Sequence, residues 1–127
     1  NRFNPEDFLP LQEKNLIEII DGDTEIIPGV NIKVTNGPSI GHQIVLVERG
    51  SEKVAFLSNL IPTPMHLMPN YIAAWDMDPN NTLLEKQETL TNAVKDGWLV
   101  VFGHAKEHPA GYIRERNGRA EFLPVAV

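Results

Sequence analysis

The stretch Val30-Asn31-Ile32-Lys33-Val34-Thr35-Asn36-Gly37-Pro38-Ser39-Ile40-Gly41-His42-Gln43-Ile44-Val45-Leu46-Val47 carries a strand signal at each end and a break between them. Val30, Ile32 and Val34 alternate with Asn31, Lys33 and Thr35, the period of a strand with one wet face. Ile44 to Val47 is a continuous apolar run, as expected of a strand buried on both faces. Asn36 to Gly41 holds two glycines and a proline and cannot be regular structure. Two strands flanking a glycine- and proline-rich loop imply a sheet.

Upstream, Pro5 and Pro10 mark an extended lead-in or a short helix opening at Pro5. The apolar run Leu16 to Ile20, the turn Asp21-Gly22-Asp23 and the β-favouring Thr24 to Ile27 predict two strands joined by a tight turn. Downstream, Arg49-Gly50-Ser51 turns the chain into a strand over Lys53 to Leu57. From Ser58 to Met77 the periodicity is lost, and the segment carries Pro62, Pro64 and Pro69 together with His66, Tyr71 and Trp75. A loop of that length in a compact domain is usually functional or a lid. Asp78-Pro79 then opens a helix over about 79–96, with a capping carboxylate and a proline where the missing N–H costs nothing. Leu83, Leu84, Gln87, Leu90 and Val94 form its predicted inner face, Glu85, Lys86 and Glu88 its outer one, and Gly97 ends it. Trp98 to Phe102 reads as a strand, His104 and His108 fall in a polar loop, and Asn117-Gly118 joins Tyr112–Arg116 to Arg119–Leu123 as a hairpin. The order is about five strands, a loop, one helix and three strands, an α+β, β-rich arrangement with the helix against one sheet face. The other face lacks a cover and calls for further chain or a second subunit, as in a homodimer.

At 127 residues, 42% apolar and 22% charged, the chain fits one soluble globular domain, 1–127, and no apolar run approaches the ~20 residues of a membrane helix. Eleven basic against 17 acidic residues give a net charge of −6, which repels a phosphate backbone and argues against nucleic acid as a partner. The absence of cysteine excludes disulfides, thiolate ligands and cysteine nucleophiles, and fits a reducing, cytoplasmic compartment. The start Asn1 to Phe8 has neither the basic nor the apolar region of a secretory signal.

Three segments stand in a suggestive order: Thr35 to Gln43, then Phe56-Leu57-Ser58-Asn59-Leu60-Ile61-Pro62-Thr63, then Val101-Phe102-Gly103-His104. They resemble the second half of metallo-β-lactamase-fold hydrolases, nearest to the branch containing acyl-homoserine-lactone lactonases. There the first segment reads T-P-G-H-T-P-G-H-Q and the second F-L-G-D-L-I-P-T, while the third sets a histidine just after an apolar strand. The resemblance covers nearly the whole chain and implies the second αβ half of a four-layer αββα sandwich. The H-x-H-x-D-H hallmark of the first half is not in this sequence.

By the resemblance, the metal-ligand positions fall on Pro38, Asn59 and His104, of which only His104 has a ligating side chain of the expected type. Proline offers no donor, and a neutral amide is a poor replacement for a bridging carboxylate. The expectation is therefore a chain with no metal of its own and absent or reduced hydrolytic activity, with zinc or another divalent metal left to a full-length parent. His42, His66, Tyr71 and Trp75 are the pocket candidates for a small-molecule ligand, and no confident catalytic residue is identified. His42 either joins a rearranged mononuclear site or hydrogen-bonds at the start of its strand. The soft apolar residues of the 58–77 loop, Met65, Met68, Tyr71, Trp75 and Met77, are either a lid over a pocket or core filling against a missing half.

Overall fold

A computed structural model describes residues 4–126. Its centre is a seven-stranded sheet in simple sequence order: β1 (Thr24–Ile27), β2 (Val30–Val34), β3 (Gln43–Arg49), β4 (Glu52–Phe56), β5 (Leu99–Val101), β6 (Ala110–Arg116) and β7 (Arg119–Pro124). All neighbours are antiparallel except β4 and β5, which run parallel. A parallel pair needs a long crossover. That crossover is the stretch 57–98, which holds a 3₁₀ turn at Pro64–Leu67 and helix α2 (Pro79–Asp96). A 3₁₀ turn at Pro5–Asp7 and helix α1 (Leu9–Glu13) precede the sheet.

Helix α2 has the span expected from sequence. Asp78 caps it by accepting the Asn81 N–H at 3.0 Å, and Gly97 closes it in the left-handed conformation at φ 64°, with the Trp98 N–H on the Ala93 carbonyl. The C-terminal hairpin also forms as expected, Asn117 and Gly118 both taking positive φ at its turn. One sheet face meets α2 in a core of Ile44, Leu57, Leu60, Val100, Phe102 and Ile113, with Phe102 and Phe122 edge to face at 5.2 Å.

Four expectations are corrected. Leu16 to Ile20 forms no strand: β1 is the sheet edge, and Leu16, Ile17 and Ile19 lie exposed without a cross-strand partner among the described residues. Among the described residues seven strands form, four before the crossover and three after it. The β3 run is buried on one face only: Ile44 faces the core, whereas Val47 is 42% exposed on the other side. Phe56 and Tyr112 share that open side, as the pairings Val45 with Phe56, Val47 with Val54 and Leu99 with Tyr112 require. Helix α2, finally, buries Thr82, Lys86, Thr89, Leu90 and Ala93, while Leu84 is 63% exposed. The inner stripe thus lies about one position away from the one that the leucines predict, because Lys86 finds buried carbonyl partners.

Candidate functional site

The sheet register brings three sequence-distant segments to one end. Val45 of β3 pairs with Phe56 of β4, and Phe56 pairs with Val101 of β5. His42 lies three residues before Val45 on an antiparallel strand, Asn59 three after Phe56, and His104 three after Val101. All three therefore project from the same edge, the carboxyl end of the parallel pair, where open α/β sheets place their sites.

At that edge the side chains form one hydrogen-bonded chain. The buried His42 places Nδ1 2.6 Å from the Thr35 hydroxyl, and its Nε2 accepts the backbone N–H of Asn59 at 3.2 Å. Accepting that N–H requires a lone pair on Nε2, so the neutral ring carries its proton on Nδ1 and donates it to Thr35. Burial holds the His42 imidazole below its ordinary value against the attraction of Asp76, which keeps this neutral tautomer in place. The Asn59 Oδ1 accepts from His104 Nε2 at 2.8 Å, and the His104 backbone N–H is fixed on the Pro62 carbonyl at 3.1 Å. Ser58, which leads into Asn59, takes φ 49°, a left-handed conformation more natural to glycine.

Pro38 is fully buried in the loop before β3. Its carbonyl accepts the Met77 N–H at 3.4 Å, and the Gly37 carbonyl accepts that of Asp78 at 3.0 Å. Gly37 lies so close to α2 that a Cβ there would come 2.7 Å from the Thr82 Cα, so the loop is wedged against the first turn of the helix. The Asn81 amide also donates to the Thr35 carbonyl, tying the helix to the His42 network.

The other sequence-predicted residues lie along the crossover. His66 Nδ1 is 2.8 Å from the Thr63 hydroxyl, and its imidazole is held below the ordinary value by burial and by the Lys86 charge, against Asp76. Tyr71 and Trp75 are exposed, as are Met65 and Met77. Beside His104, a surface cavity of about 320 Å³ is lined by Thr63, Met65, His104, Ala105, Lys106 and His108, among others. Among the described residues no group of three His, Asp or Glu side chains is arranged to hold a metal ion.

A second polar cluster was not anticipated from sequence. Lys86 has no solvent exposure, and its ammonium donates to the carbonyls of Met68 at 3.1 Å and Tyr71 at 2.6 Å. Asp76 accepts from the Thr82 hydroxyl at 2.9 Å through one oxygen, while its other oxygen is buried without a partner. The available signal was the spacing of Asp78, Thr82 and Lys86, which four-residue steps place on one stripe of α2.

No family model and no curated protein matches the sequence. Solved structures do match the fold. A probable metal-dependent hydrolase from Staphylococcus aureus aligns over 90% of this chain and 42% of its own, at 20% identity and a TM-score of 0.80. AidC, a dizinc quorum-quenching lactonase, aligns over 97% of this chain and 45% of its own, at 16% identity and a TM-score of 0.77. An N-acyl homoserine lactone hydrolase with product bound at its catalytic metal centre aligns over 68% of this chain and 35% of its own, at 27% identity and a TM-score of 0.59. The chain thus spans less than half the length of each of these three structures.

Proposed function

We infer, from a chain with the fold of one half of a metallo-β-lactamase-superfamily hydrolase, that it is the C-terminal part of such a protein and that its own hydrolytic activity is absent or much reduced. The observation that carries this reading is the 2.8 Å bond between Asn59 Oδ1 and His104 Nε2. A catalytic zinc needs about three donors with free lone pairs near 2.0–2.2 Å and an open position for water. Pro38 has no donor, Asn59 brings no negative charge, and the acceptor atom of its amide is already engaged by His104. His42 is no substitute, because the Asn59 N–H occupies its only lone pair. These residues do not fit a metal centre as they stand.

In a whole protein, a divalent metal such as zinc would then depend on donors outside residues 1–127, which would support ester or lactone hydrolysis at a mononuclear centre. The open apolar sheet face around Val47, Phe56 and Tyr112 favours cover by the rest of the fold or by a second copy of this chain. The cysteine-free composition favours a reducing, cytoplasmic compartment. A second reading, a non-catalytic small-molecule binder or scaffold, is favoured by the cavity beside His104, which is concave and largely apolar without needing a metal.

Metal analysis of the purified chain after exposure to zinc, iron or manganese tests the main reading. Substoichiometric metal is expected, and one tightly held equivalent would overturn it. The double change Pro38→His with Asn59→Asp, made in the full-length context, is expected to raise metal occupancy. No gain would show that the ligand positions have been matched wrongly.

A further inference from the structure

Buried charges usually stand in an ion pair. None of the ion pairs among the described residues includes Lys86. Its ammonium is held by two neutral carbonyls of a single turn, the Tyr71 N–H of which returns to the Met68 carbonyl at 2.9 Å. Asp76 attracts it from within the same loop, yet bonds Thr82 and leaves its second oxygen unpartnered. The segment from Met68 to Met77 is attached to α2 and the Pro38 loop by these polar contacts, while Tyr71, Trp75 and Met77 face outward.

We propose that Met68–Met77 is a lid latched to helix α2 by the Lys86 ammonium, and that it opens by releasing this ammonium to water. The latch is strained by its own charge. Burial pushes the Lys86 ammonium down to about 8 from 10.5, and the attraction of Asp76 only partly opposes this. The open lid returns the group to water and to its ordinary value, so the closed form binds the proton more weakly than the open one. Raising the pH from 7 to 10 therefore favours closure, and a neutral amine still has an N–H for each carbonyl. The groups facing Lys86 are Asp76 from the loop and His66 from the 3₁₀ turn. His66 is held below its ordinary value and stays neutral across this range.

Hydrogen-exchange protection factors, which are corrected for base catalysis, test this on the intact chain. Protection of the Tyr71 and Asp76 amides is expected to rise about 70-fold from pH 7 to pH 10, for values of about 8 closed and 10.5 open. Ile113 and Phe122 in the hairpin exchange through global unfolding, which exposes Lys86 as well, so the lid amides are expected to be distinguished by protection well below that of the hairpin at pH 7. Lys86→Met, which cannot titrate, is expected to abolish the dependence in the lid. Flat protection in the native lid would overturn the proposal, as would lid protection equal to that of the hairpin at pH 7 or a dependence that survives in Lys86→Met. If that variant fails to fold, the comparison of lid with hairpin in the native chain decides alone.

Discussion

The two polar clusters beside the helix start are built on opposite principles. In the Thr35, His42, Asn59 and His104 chain each paired donor meets a neutral acceptor, and burial keeps His42 uncharged. In the Asp76, Thr82 and Lys86 cluster an ammonium lies buried without an ion-pair partner, and a carboxylate oxygen beside it is unpartnered. The first is a settled network that holds three loop ends in place. The second stores electrostatic free energy, which a fold retains where a segment has to move or a ligand has to enter. The family resemblance leads to the first cluster, while no motif marks the second.

Breaking the settled network at its buried centre should have the largest effect. His42→Leu leaves the Thr35 hydroxyl and the Asn59 N–H without partners, and each unmade buried bond costs roughly 1–3 kcal/mol. A loss of about 2–4 kcal/mol in urea unfolding is expected. The native chain should also lose stability as pH falls below 6.5. Its His42 binds protons more weakly than the unfolded chain does, so the stability present above 6.5 fades as pH drops through the lower folded value. That slope should be smaller in His42→Leu. A cost below about 1 kcal/mol would mean that the network carries little and would erase the contrast between the clusters.

An intermediate effect is expected in the second cluster. Thr82→Val keeps the shape of a fully buried side chain and removes the hydrogen bond that the Asp76 carboxylate accepts from the Thr82 hydroxyl. About 1–2 kcal/mol should be lost, with exchange rising first in Met68–Met77 and the hairpin little changed. Equal changes in both regions would place Asp76 in the global core and remove the reason to treat the segment as separable.

The same contrast marks what sequence can reveal. Helix α2, its Asp78 cap and the Asn117-Gly118 hairpin were legible because each rests on local chemistry, a cap or a left-handed turn. The segments bearing His42, Asn59 and His104 were legible by resemblance, and the sheet register brings them to one edge. Lys86 was misplaced on the wet face because the partners that bury it are carbonyls of Met68 and Tyr71, 18 and 15 residues away. Backbone acceptors leave no trace in side-chain periodicity. Leu16 to Ile20 misled for the converse reason: an apolar run states a preference for burial, but a strand also needs a neighbour to pair with.

The smallest effect should come from Asn59→Ala, which separates the two roles of Asn59. Its backbone N–H, which His42 accepts, survives the change, and only the side-chain bond to His104 is lost. His104 is exposed, so water can replace the amide oxygen, and the cost should stay within about 0.5 kcal/mol. The freed Nε2 is a single donor, too few for a catalytic zinc. Zinc titration of Asn59→Ala should therefore look like that of the native chain. A cost above about 2 kcal/mol would recast the Asn59 to His104 bond as a structural crosslink. A clear gain in zinc affinity would mean that another donor stands near His104, and that the Asn59 amide had been competing with it.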